Sequence, residues 1–129
     1  MSDSQFVTPT KTTRGLGASK SGTSHHIRQR VSALALIVLV PWFLFSVIKA
    51  ALGGYADALA WVSAPLNATL LVLTAGAAFY HMRLGMQAVI EDYIGKPGMR
   101  AALQIFNTFF AATLFVVVVM SVLRIWTGG

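Results

Sequence analysis

"VSALALIVLVPWFLFSVIKA", residues 31–50, carries a single cation, Lys49, and no acid in twenty positions. A helix rises about 1.5 Å per residue, so this segment matches the roughly 30 Å hydrocarbon core of a bilayer. It reads as a membrane-spanning helix. Pro41 in its middle lacks an amide N–H and predicts a kink, a defect that neighbouring helices in a membrane bundle absorb.

The rest of the chain repeats the pattern. Its 129 residues are 56% hydrophobic and 11% charged, with a mean hydropathy of +0.69, against about 25% charged in an ordinary soluble domain. A second span is predicted over residues 65–91, with Ser63 as its N-cap and Pro65 in its first turn. "IGKPG", residues 94–98, ends it. A third span, 101–125, contains "AATLFVVVVMSVL" and leads into Trp126, an aromatic suited to the membrane interface. "LGGYADALAWVSAP", residues 52–65, reads as a short connection between the first two spans. The expected fold is therefore all-α: three transmembrane helices over residues 23–129, preceded by a flexible Ser-, Thr- and Gly-rich leader, 1–22, that is retained rather than cleaved.

Three spans place the termini on opposite sides. Lys11, Arg14, Lys20, Arg28, Arg30, Lys96 and Arg100 fall on one side, against Lys49 and Arg124 on the other. The positive-inside rule then puts the N-terminus and the 91–100 turn in the cytoplasm, or the matrix of an organelle. The net charge of +6 is thus an orientation signal, and no basic, aromatic face suited to nucleic acid is present. With no cysteine, thiolate metal sites, iron–sulfur clusters and a cysteine nucleophile are excluded, so redox chemistry requires a borrowed cofactor.

The second span ends in an unusual way: "HMRLGMQAVIEDYIGKP", residues 81–97, brings a histidine, an arginine, two acids and a tyrosine to the end of an apolar run. On a wheel turning about 100° per residue, Thr74, Ala77, Ala78, Gly85, Ala88 and Asp92 all fall within about 60° of His81. That stripe is nearly free of bulk, so something approaches the backbone closely, either another helix or a planar ligand. A porphyrin is one such ligand, with the imidazole on its iron and Ala77 and Gly85 leaving room for the ring. The alternative is a buried polar His81 satisfied by a neighbouring helix. His25 and His26 precede the first span, and His81 lies about 18 Å deeper than Tyr93, so a second axial ligand is expected from another chain. Asp92 and Tyr93 suit either an interfacial belt or a carbonyl ligand held at the inner surface, the phenol donating a hydrogen bond and the acid relaying protons. Arg83 points about 200° away from His81, toward lipid headgroups or a partner chain.

The spacing of His81, Gly85, Asp92 and Tyr93, together with "SGTSHHIRQRVSA" at residues 21–33, resembles the hydrophobic membrane-anchor subunits of succinate dehydrogenase, respiratory complex II, in their small three-helix form. The motifs cover residues 22–34 and 81–110; elsewhere the likeness is one of hydropathy. The resemblance implies a chain with no catalysis of its own. It would pair with a second, cytochrome b-type anchor subunit, share a haem b with it, bind ubiquinone, and hold an iron–sulfur subunit and a flavoprotein subunit to a bacterial inner membrane or a mitochondrial inner membrane. It implies His81 as an axial haem ligand, Arg30 near the haem propionates, and Tyr93 with Asp92 at the quinone, and leaves His25 and His26 competing for one role. Two other readings are a haem b subunit of a different quinone oxidoreductase and a structural assembly protein.

Overall fold

A computed structural model describes the backbone of residues 20–129 and the side chains from Gly22 onward; most of the leader predicted over 1–22 lies outside the described residues. Among the described residues four helices follow one another: α1, Lys20–Gly53; α2, Tyr55–Ser63; α3, Pro65–Tyr93; and α4, Pro97–Trp126. The part Gly22–Gly53 of α1 and the whole of α4 are each long and apolar enough to cross a membrane, and α2 and α3, bent by 85° at the break between them, pass the same test as a pair, so the described residues hold two such helices, or three spans where that pair counts as one. The chain is an all-helical integral membrane protein.

Helix boundaries sit where the backbone is constrained. A residue before proline is pushed out of the α region, and both Ala64 (φ −68°, ψ 127°) and Lys96 (φ −77°, ψ 119°) are extended immediately ahead of Pro65 and Pro97, each at the start of a helix. Gly54 separates α1 from α2 at φ +89°, a conformation that favours glycine. The sequence-based boundaries differ in three places. The helix before Pro41 begins at Lys20, not near residue 31, and runs through the proline without a break. The expected connection 52–65 is largely the helix α2, because Tyr55–Ser63 contains no helix breaker and its Trp61 ring packs 5.8 Å from that of Trp42. Ser63 is not the cap of α3: its hydroxyl donates to Leu59 O at 2.7 Å, and Ala64 holds the cap position.

α3 is the middle of the bundle. α1 packs on one side of it and α4 on the other, and α1 and α4 do not pack against each other. The short helix α2 packs against all three of the others. The buried core is short, namely Ala68, Leu84, Ile90, Ala111 and Val122, while Val38, Phe45, Phe106 and Phe109 are each at least 65% exposed. In water such surfaces would drive association; in a bilayer they face lipid or other helices.

Candidate functional site

The imidazole of His81 meets α1 at Ser32, whose Oγ lies 2.9 Å from Nδ1. One turn along, the position of a Cβ on Gly85 is nearest to Gln29 Nε2, at 4.0 Å. These two meetings fix an antiparallel register: Ser32 opposite His81, and Gln29 opposite Gly85. The start of α1, the end of α3 and the start of α4 therefore share one end of the molecule, and Arg28, Arg30, Asp92, Tyr93, Lys96 and Arg100 gather there or close to it.

The hydrogen bonds assign a tautomer. Ser32 Oγ also lies 2.9 Å from the carbonyl oxygen of Gln29, which can only accept. A serine hydroxyl has one proton to donate. If it donates to Gln29 O, its lone pair receives the Nδ1 proton of His81 and both contacts are hydrogen bonds; if it donates to Nδ1, only one is. An additional bond contributes about 1 kcal/mol net. The favoured neutral imidazole thus carries its proton on Nδ1 and a lone pair on Nε2. Nε2 makes no hydrogen bond among the described residues and is not sealed inside the chain.

A single imidazole nitrogen, with no cluster of three His, Cys, Asp or Glu among the described residues, does not suit a bare metal ion. It suits an iron whose other positions are supplied by a porphyrin and a second ligand. One ring nitrogen of His81 is satisfied by a neighbouring helix, and the other has no partner among the described residues.

The small-residue stripe is largely met by this chain's own helix. Gly85 faces Gln29, and Thr74 is buried with its hydroxyl donating to Leu70 O at 2.7 Å. Ala77 instead lines an open, mostly apolar groove of about 410 Å³ between α1 and α3, together with Arg28, Val31, Ser32, Gly76 and Tyr80. The room beside Ala77 is therefore open from outside, whereas that beside Gly85 is taken by α1.

Asp92 and Tyr93 are the last two residues of α3, both exposed, Tyr93 to 82%. Arg30 is an exposed residue within α1 and lies about 200° around it from Ser32. The arginine on the His81 side is Arg28, whose Nη2 donates to Ser24 Oγ at 2.7 Å. Because α1 begins at Lys20, His25 is only seven residues, or about 10 Å along the axis, from Ser32. Its Nε2 is buried without a partner. That is nearer to the level of His81 than the sequence suggests, and still too far along the helix to share one iron with it.

Arg83 turns toward α4. Its Nε donates to Thr108 Oγ1 on α4 at 3.1 Å, and Asn107 Nδ2, in a residue only 6% exposed, donates to the Arg83 carbonyl at 2.9 Å. Gln104 Nε2 extends this seam to Gln87 O at 3.3 Å, and Gln87 Nε2 donates to Glu91 at 2.9 Å. Sequence reading missed Ser32, Gln29 and this seam. For the seam a signal was present: Gln104, Asn107 and Thr108 are polar residues at helical spacing in an apolar span.

The fold and site define a class: a small polytopic helical protein that presents one prepared imidazole within the membrane and a polar cluster at one end. Residues 5–123 match the family of succinate dehydrogenase/fumarate reductase transmembrane subunits, and the chain belongs to that family. It is 32% identical over 125 residues to the succinate dehydrogenase hydrophobic membrane anchor subunit of Paracoccus denitrificans, covering 97% of this chain and 96% of that one. It is 31% identical to the subunit of the same name from Rickettsia bellii over 84% of this chain and 87% of that one, and 30% identical to that of Rickettsia conorii over 81% and 84%. No solved structure matches the chain.

Proposed function

We propose that this chain is the hydrophobic membrane-anchor subunit of a succinate dehydrogenase. It pairs with a cytochrome b-type anchor subunit and tethers an iron–sulfur and a flavoprotein subunit to a bacterial or mitochondrial inner membrane, N-terminus in the cytoplasm or matrix. Family membership and near-full-length likeness to subunits of that name support the role. The observation that carries the site is the Ser32–His81 hydrogen bond, which leaves Nε2 with an available lone pair.

His81 Nε2 would hold the iron of a haem b shared with the companion subunit, and the positive charge for its propionates would come from Arg30, which the family motif marks, with Arg28 the arginine on the His81 side of α1. When bound, the haem supplies a one-electron carrier beside the quinone route. Succinate is oxidised on the flavoprotein, and electrons cross the iron–sulfur subunit to ubiquinone at the inner end of the helices. There the Tyr93 phenol donates a hydrogen bond to a quinone carbonyl, orienting it and stabilising charge that develops on that oxygen. Asp92, exposed beside it, takes protons from the aqueous face and passes them toward the reduced oxygens. Two protons are consumed on this side for each quinone reduced to quinol.

Purification through a tag on this chain tests the assignment. A complex that reduces a ubiquinone analogue with succinate and contains b-type haem is the expected result. A chain that purifies without a flavoprotein, or with one that does not oxidise succinate, would overturn it.

A further inference from the structure

We propose that Ser32 is a positioning residue for His81: its hydroxyl accepts the Nδ1 proton, holds the ring in one orientation and keeps Nε2 deprotonated toward the haem iron. The inference rests on the haem reading given above and adds to it a residue that acts through the ligand, without touching the cofactor.

Three features carry it. Ser32 is only 6% exposed, so its hydroxyl is shielded from water and from competing partners. Its contacts divide the work, since donation to Gln29 O orients the lone pair that faces His81 Nδ1, both at 2.9 Å. The two residues sit on different helices, so the hydrogen bond sets the ring orientation relative to α1 as well as α3. The ring is therefore held by the bundle.

The chemistry follows from the bond. A ligating histidine whose other N–H is hydrogen-bonded is fixed in tautomer and is a more basic ligand. A serine oxygen is a neutral acceptor, so it strengthens the ligand without placing a bare charge in the membrane interior, as a carboxylate there would. Greater basicity at Nε2 stabilises ferric over ferrous iron. Ser32 thus tightens haem binding and lowers the haem potential.

The test compares the assembled complex with Ser32→Ala, Ser32→Val and Ser32→Thr variants, using His81→Ala as the control for the haem reading. Valine and threonine have nearly the same shape, so that pair isolates the hydroxyl, and Ser32→Ala serves if the branched side chains do not fit. Two quantities are read: transfer of haem to excess apomyoglobin and the haem midpoint potential. Loss of an outer-shell partner of this kind weakens binding about 10- to 100-fold, so faster haem transfer is expected in Ser32→Ala and Ser32→Val but not in Ser32→Thr. The potential should rise in the same two variants, by 59 mV for each tenfold change in the ferric-to-ferrous affinity ratio. If Ser32→Ala matches wild type in both quantities, or Ser32→Val and Ser32→Thr behave alike, the positioning role is overturned while the haem reading stands. If His81→Ala retains an unchanged haem, the haem reading itself fails, and this inference with it.

Discussion

Alanine at Gly85 and at Gly76 tests how closely α1 and α4 approach α3. Both glycines lie in α3, where replacing glycine by alanine gains about 0.5–1 kcal/mol of helix stability if the methyl fits. At Gly85 the nearest atom to a new Cβ is Gln29 Nε2 at 4.0 Å, the outer limit of ordinary contact, so the gain should be realised. At Gly76 the new Cβ lies 3.3 Å from Phe115 Cε2, and the phenyl ring must shift by a few tenths of an ångström, which offsets the gain. Titration of the micelle-solubilised protein with sodium dodecyl sulfate, followed by tryptophan fluorescence, should show Gly85→Ala more stable than wild type by about 0.5–1 kcal/mol. Gly76→Ala should be neutral or worse. Because α1 covers Gly85, the haem absorption of the assembled Gly85→Ala complex should also be unchanged. Destabilisation by more than about 1 kcal/mol, or loss of haem from Gly85→Ala, would mean that something other than Gln29 lies against this glycine, and the reasoning from the α1–α3 register would be refuted.

Three further outcomes are expected. Asn107→Leu removes the buried donor to the Arg83 carbonyl and should weaken α3–α4 packing by about 0.6 kcal/mol, up to about 1.7, in the same titration. Tyr93→Phe keeps the ring but removes the phenol, so succinate-driven ubiquinone reduction should fall at least tenfold while haem content is unchanged; equal activity would remove the phenol from the quinone site. Gly54→Ala forces a Cβ onto a backbone at φ +89° and should destabilise the α1–α2 elbow by about 1 kcal/mol. Retained thermal stability would show that this elbow adopts another conformation.

The long apolar helices and the polar cluster at one end were legible because each rests on a local signal: long apolar runs, Pro65 and Pro97 at helix starts, and polar and basic residues gathered at one end. His81 was legible too, since a histidine inside an apolar helix stands out by composition alone. The pairing of helices was not. Nothing within "RQRVSAL" marks Ser32 over its neighbours, because its role depends on α1 lying antiparallel to α3 in a register that brings residues 32 and 81 together. Arg83 was read from its angle on a wheel, which gave the correct side of α3 but not the occupant of that side. Thr108 on α4 takes its Nε, a contact between residues 25 apart. The helix α2 was hidden for the opposite reason: the glycines and proline bounding it suggested a loop, although the nine residues between the breaks are compatible with a helix.

The central claim, that His81 holds haem through Nε2, is tested most directly by the dithionite-reduced minus oxidised absorption spectrum of the purified complex, wild type against His81→Ala at matched anchor content. Loss of the b-type signal in the variant, with the four subunits still assembled, is the predicted result. A full-strength, unshifted signal would contradict it and leave His81 as a residue that joins α3 to α1 through Ser32.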